Sequence, residues 1–90
     1  MKKVVITVVG KDSVGIIAKV CTLLAETGIN ILDISQTITG GFFNMMMIVD
    51  LSEAKITFSE LQEKLDEIGK EIGVEIHAQK EEIFDMMHRV

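Results

Sequence analysis

Two adjacent glycines, Gly40 and Gly41, stand between two runs rich in β-branched and large apolar residues, 29–39 and 42–51. Tight two-residue turns need positive φ at their centre, which glycine adopts at no steric cost. The pair therefore predicts a β-hairpin, and a turn of fixed length fixes its register. Ile38 then faces Phe43, Gln36 faces Met45, Ile34 faces Met47 and Leu32 faces Val49. The other side carries Thr39–Phe42, Thr37–Asn44, Ser35–Met46, Asp33–Ile48 and Ile31–Asp50. The first set is expected to face the interior, with Gln36 as its one polar member. A slip of one residue would exchange the two faces, so the assignment can be checked directly.

The flanks of the hairpin match each other. Residues 3–9 are almost continuously apolar and β-branched, the pattern of a central strand covered on both sides. After Gly10, Asp12 or Ser13 can cap a helix in which Ile17, Cys21 and Leu24, with Val20 beside them, form an apolar stripe. Gly28 suits its end. Downstream, Thr57 and Glu60 fit a capping box. Phe58, Leu61, Leu65, Ile68 and Ile72 follow at helical spacing, and Gly73 ends the run. Val74, Ile76 and Ala78 alternate as a fourth strand, and Glu82 to Arg89 has the pattern of a short terminal helix.

Strand, helix, hairpin, helix, strand predicts an α+β, ferredoxin-like βαββαβ fold. Its four-stranded antiparallel sheet, order 4-1-3-2, carries two helices on one face. Right-handed crossovers leave the second strand at an edge. The chain has 90 residues and no proline, and no linker divides it, so a single domain over residues 1–90 is expected.

The net charge of −5 disfavours nucleic acid, whose phosphates need clustered Lys and Arg. No apolar run approaches the roughly 20 residues of a membrane span. The apolar start is too short for a leader, and the one cysteine, Cys21, has no partner for an internal disulfide. A cytoplasmic protein is expected, with no membrane partner and no cofactor.

The segment Gly10, Lys11, Asp12, Ser13, Val14, Gly15 joins a buried strand to a helix start. Such a place presents backbone donors that favour an anion. It is not a phosphate loop, for no Gly-Lys-Ser or Gly-Lys-Thr closes it. With Ile16, and with Gly28, Asn30 and Ile31 further on, it resembles the ACT domain, a small regulatory module. There the pattern runs strand, Asp-x-x-Gly-Ile or Gly-Val, helix, Gly-x-Asn-Ile, strand. The likeness is greatest to members not fused to an enzyme, and the segments 33–37 and 82–87 are also similar to theirs.

This resemblance implies a small-molecule ligand, an amino acid or related metabolite, bound where two domains meet in a homodimer. It further implies that Gly10, Lys11, Asp12, Ser13, Val14 and Gly15 offer backbone donors. Asn30, Ile31 and Asp33 complete the site, Asn30 and Asp33 through polar side chains. On spacing alone, Asn30 also reads as a turn residue after Gly28. The ligand's identity and any regulated partner stay open.

Other candidates are weaker. Met45, Met46 and Met47 alternate across a strand and cannot converge on one metal ion. His77 and His88 lack partners at ligand spacing, and Cys21 falls on a packed stripe. A small hydrolase of this shape, of the acylphosphatase type, would want an arginine in the loop, yet the only arginine is Arg89. RNA binding would want aromatics on one sheet face ringed by basic residues, and Phe42 and Phe43 alternate. The expected role is thus non-catalytic, with a structural dimerisation module that binds no ligand as the other alternative. Phe42, Met46 and Ile48 lie on the sheet face that two helices leave open. Either a second copy or the C-terminal helix is expected to cover them, with pairing along the second strand's edge as an alternative dimer mode.

Overall fold

The computed structural model describes residues 2–11 and 15–81. The elements run β1 (Lys3–Lys11), α1 (Ile16–Glu26), β2 (Asn30–Thr39), β3 (Phe42–Asp50), α2 (Phe58–Ile72) and β4 (Glu75–Lys80). The sheet order is β2-β3-β1-β4, the expected 4-1-3-2 order read from the other side, and every pairing is antiparallel.

The hairpin turn carries positive φ at both glycines, 59° and 83°. The predicted register holds from Thr39–Phe42 through Asp33–Ile48. It then slips: Ile31 pairs with Val49 and Asn30 with Asp50, leaving an irregularity between Ile31 and Asp33. Leu32 is the extra residue, so it does not face Val49, and Ile31 moves to the opposite side from that expected. A bulge of this kind bends an edge strand and cannot be read from alternation alone.

Along β3 the alternation is clean. Phe43, Met45, Met47 and Val49 are buried, whereas Phe42 and Met46 are exposed. The three methionines therefore divide between the two faces as anticipated. Val4, Ile6 and Val8 of β1 pair with Val49, Met47 and Met45 and extend the same buried surface. Helix α1 closes it with Ile16, Val20 and Leu24, one residue round from the expected stripe, with Ile17 and Cys21 at its margin. Helix α2 adds Leu61 and Leu65.

The cover is uneven. All of β2 is exposed, including Ile34 at 43% and Ile38 at 64%, which share a face with Phe43 and Met47 but have no helix above them. The expectation that they pack under the helices fails: the buried core draws on β3, β1 and β4 and takes no residue from β2. Gln36 is exposed there as well, so it needs no buried partner. On the other face Val5 is buried but Val9 is 44% exposed, so β1 is covered on both sides only at its start.

Helix ends follow their local chemistry. The Thr57 hydroxyl accepts from Glu60 N at 3.2 Å, and the Glu60 carboxylate accepts from Thr57 N at 3.0 Å. Gly73 ends α2 in the left-handed conformation. The N-cap of α1 is Gly15, not Asp12 or Ser13, and it makes no side-chain hydrogen bond. Residues 12–14 and the expected terminal helix over 82–89 lie outside the described residues.

Two carboxylates are held by donors. Asp50 Oδ1 accepts from the Ser52 hydroxyl (2.6 Å), Ser52 N (2.9 Å) and Lys2 N (3.2 Å). These bonds, those of Ser52 above all, hold its carboxyl below the ordinary value, and the Thr57 amide does the same for Glu60. A folded-state value below the unfolded one gives stability that is present at neutral pH and lost as pH falls through the folded value. Asp50→Asn and Glu60→Gln are thus expected to flatten the loss of stability below about pH 4, the ordinary carboxylate range. Urea titrations at intervals from pH 7 to pH 2 would show this, and an unchanged acid limb in both variants would contradict it.

Candidate functional site

The residues singled out in the sequence form two groups, and the sheet holds them apart. Lys11 pairs with Phe42 and Gly10 with Phe43, so the loop after β1 lies at the hairpin-turn end of the sheet. Asn30 pairs with Asp50, which in turn pairs with Lys3 at the start of β1. Asp33 lies level with Ile48 and Val5. At about 3.3 Å per residue, roughly 15–25 Å separates Asn30 and Asp33 from Gly10 within one chain. One copy of the chain does not bring them together.

The two glycines of the loop do different work. Gly15 has φ 95°, and a Cβ there would meet nothing within 4 Å. Its requirement is conformational: the chain must turn left-handed to start α1. The Gly15 carbonyl accepts from Lys19 N at 2.9 Å, the first bond of the helix. Gly10 has ordinary strand geometry, yet a Cβ on it would lie 2.3 Å from Val74 Cγ1. It is glycine because the lead-in to β4 packs against it. Its place in the motif therefore carries a packing requirement of its own.

At the other group, Asn30 and Ile31 are exposed at the start of the edge strand. The Asp33 carboxylate accepts from Ile34 N at 2.9 Å, just past the bulge. The helix that delivers the chain to this point is tied off firmly. The Thr27 hydroxyl donates to Leu23 O at 2.7 Å, and Gly28 follows with φ 74°. A sequence reading finds Asn30 by its motif but gives no hint that it lies at the opposite end of the sheet from the loop, since the distance follows from strand pairing.

Neither group lines the cavity beside the β3–α2 connection. That cavity, about 870 Å3, is lined among others by Lys2, Leu51, Ala54, Phe58 and Lys80. It sits under the β3–α2 connection, at the far end of the sheet from Gly10. Nor do the described residues gather three His, Cys, Asp or Glu side chains as a metal would need. No helix among them is long and apolar enough to cross a membrane.

The ACT domain profile matches residues 2–79, nearly the whole described chain. This chain belongs to the ACT domain family. A UPF0237 protein of Bifidobacterium longum is 56% identical over 90 residues, 100% of both chains. The structure is similar to an ACT domain protein from Streptococcus pneumoniae, with a TM-score of 0.81 and 43% identity over 93% of this chain and 94% of that one. It is also similar to the regulatory subunit of aspartate kinase from Thermus thermophilus. There the TM-score is 0.65 and the identity 32%, over 87% of this chain and 50% of that one. The family is one of regulatory ligand-binding modules.

The separate requirements at Gly10 and Gly15 predict distinct behaviour. Gly10→Ala forces the Val74 side chain to move and is expected to cost about 1–3 kcal/mol of stability by overpacking. Gly15→Ala is expected to cost about 1–2 kcal/mol through left-handed strain alone. Val74 Cβ would also lie 2.8 Å from the new methyl at position 10. Val74→Gly, which removes both atoms, should therefore make Gly10→Ala cheaper than it is in the wild-type background and leave the cost of Gly15→Ala unchanged in chemical denaturation. Equal relief of both would refute the distinction.

Proposed function

We propose that this ACT domain is a non-catalytic regulatory module that binds a small amino acid or similar zwitterion between two copies of itself. The observation that carries this reading is the separation of the motif residues along the sheet, combined with an edge strand that is exposed throughout. If two copies pair through β2, the strands run antiparallel about a two-fold axis. The Asn30 end of one copy then comes beside the Thr39 end of the other, which is the end that carries Gly10 and Gly15. The site is thus completed by the partner copy. The exposed Ile31, Ile34 and Ile38 would at the same time gain cover, at roughly 1.5–3 kcal/mol for each fully buried side chain.

The chemistry suits a zwitterion. The start of α1 offers backbone N–H groups and the positive end of a helix dipole to a carboxylate. Asn30 and Asp33 offer oxygens to an ammonium group. These groups hold a ligand, but supply no nucleophile with an adjacent base. Its likeness to the regulatory subunit of aspartate kinase supports signalling to a partner protein.

An amino acid has on the order of ten heavy atoms, at roughly 0.4–0.7 kcal/mol each. The corresponding dissociation constants run from about millimolar to about ten micromolar. NMR titration with amino acids at millimolar concentration is expected to shift amides of residues 10–15 and 30–33 together. Asn30→Ala and Gly15→Val should each abolish binding while the domain stays folded. Mixing the two variants should restore binding at about a quarter of the sites, because half the dimers are mixed and each holds one intact site. No recovery on mixing would refute a shared site, and no shift with any amino acid would leave a structural dimerisation module.

A further inference from the structure

The two edges of the sheet are finished differently. Along β4, α2 reaches the outer edge. Midway, Gln62 bonds the strand's backbone directly: its Oε1 accepts from Ala78 N at 2.9 Å, and its Nε2 donates to Ile76 O at 3.4 Å. The same Nε2 donates to Asp66 Oδ1 at 2.8 Å, which fixes the orientation of the amide. At one end of the helix, a Cβ on Gly69 would lie 2.7 Å from Val74 O, so helix and strand meet without a side chain between them. At the other end, Lys80 Nζ lies 5.8 Å from the centre of the Phe58 ring.

In an antiparallel pair alternate residues turn their N–H and C=O outward. Ile76 and Ala78 are those residues on β4, opposite Val8 and Ile6 of β1. An incoming strand would need the groups that Gln62 occupies. Among the described residues, the β2 edge carries only the contact of Asp33 with its neighbour Ile34, beside the bulge. From Ser35 to Thr39 the strand is regular and exposed.

We propose that Gln62 closes the β4 edge against strand addition, so that this chain extends its sheet only through β2 and stops at two copies. A two-fold β2–β2 contact uses one edge of each copy and is complete. Contacts through β4 would have no such end, since each dimer would still present two edges and could add further dimers in a row. Gln62 carries no charge and fills no core position. What it supplies is a donor and an acceptor at the spacing of a neighbouring strand. The part of this proposal that sets the limit at two rests on the edge-to-edge reading of the dimer given above.

The test uses the full chain as wild type, Gln62→Ala and Gln62→Glu, with hydrogen exchange followed by NMR and sizes by sedimentation velocity. The Ala78 amide of the wild type is expected to be protected although it lies on an outer strand. In Gln62→Ala its exchange should rise about tenfold, the scale of one lost hydrogen bond. Species larger than those of the wild type should appear and grow with concentration. Gln62→Glu keeps an acceptor for Ala78 N and adds an edge charge, so it should sediment as the wild type does. If Gln62→Ala does not fold, Asp66→Ala, which frees the Gln62 amide, carries the same test in weaker form. Unchanged Ala78 exchange, or faster exchange with no larger species, would overturn the proposal. A monomeric wild type would remove the edge-to-edge reading. Growth of Gln62→Ala beyond the wild-type species would then still support a closed β4 edge, and its absence would still overturn it.

Discussion

Everything in this fold hangs on the antiparallel pairing of β1 with β3. It places Val4, Ile6 and Val8 beside Val49, Met47 and Met45 to make one continuous apolar sheet surface. Both helices pack on that surface, and it supplies the floor of the core. The same pairing dictates which ends of the molecule carry which groups. Because β1 and β3 run oppositely and β2 returns against β3, the end of β1 and the start of β2 must lie at opposite ends of the sheet. No adjustment of loops in one chain can undo this. A family motif whose halves follow β1 and open β2 therefore has its halves separated by the topology itself.

The sequence made the hairpin legible because two glycines set the turn and period-2 alternation set the faces. It made α2 legible because a capping box and a terminal glycine mark its ends. It did not show the slip at Leu32, since apolar residues on both sides of the strand leave the alternation unbroken. Nor did it show that Ile34 and Ile38 lie beyond the helices. Periodicity reports which side of a strand a residue takes, and says nothing about how far the covering layer reaches.

At the candidate site the motif names Gly15 and Asn30 but holds no information on the distance between them, which strand pairing sets. Gly10 carries a requirement of another kind. Its lack of a side chain follows from Val74, a residue far along the chain, and local sequence holds no trace of that contact. The edge seal was equally hidden. Gln62 reads as one more polar residue on an amphipathic helix until the strand beside it is placed.

The central position of β1 also sets the order in which the chain can be completed. The hairpin of β2 and β3 closes locally through a two-residue turn, on the microsecond scale of such turns. The first strand made pairs on one side with β3 and on the other with β4, the last, through contacts such as Val4 with Lys80. Long-range pairings of this kind slow folding, because loop closure must precede the contacts that reward it. A nascent chain that has not yet emitted β4 holds β1 as an uncovered edge, with half of its backbone groups unpaired. Until the final strand arrives, the most apolar segment of the protein is therefore the one most open to pairing with a neighbour on the same messenger.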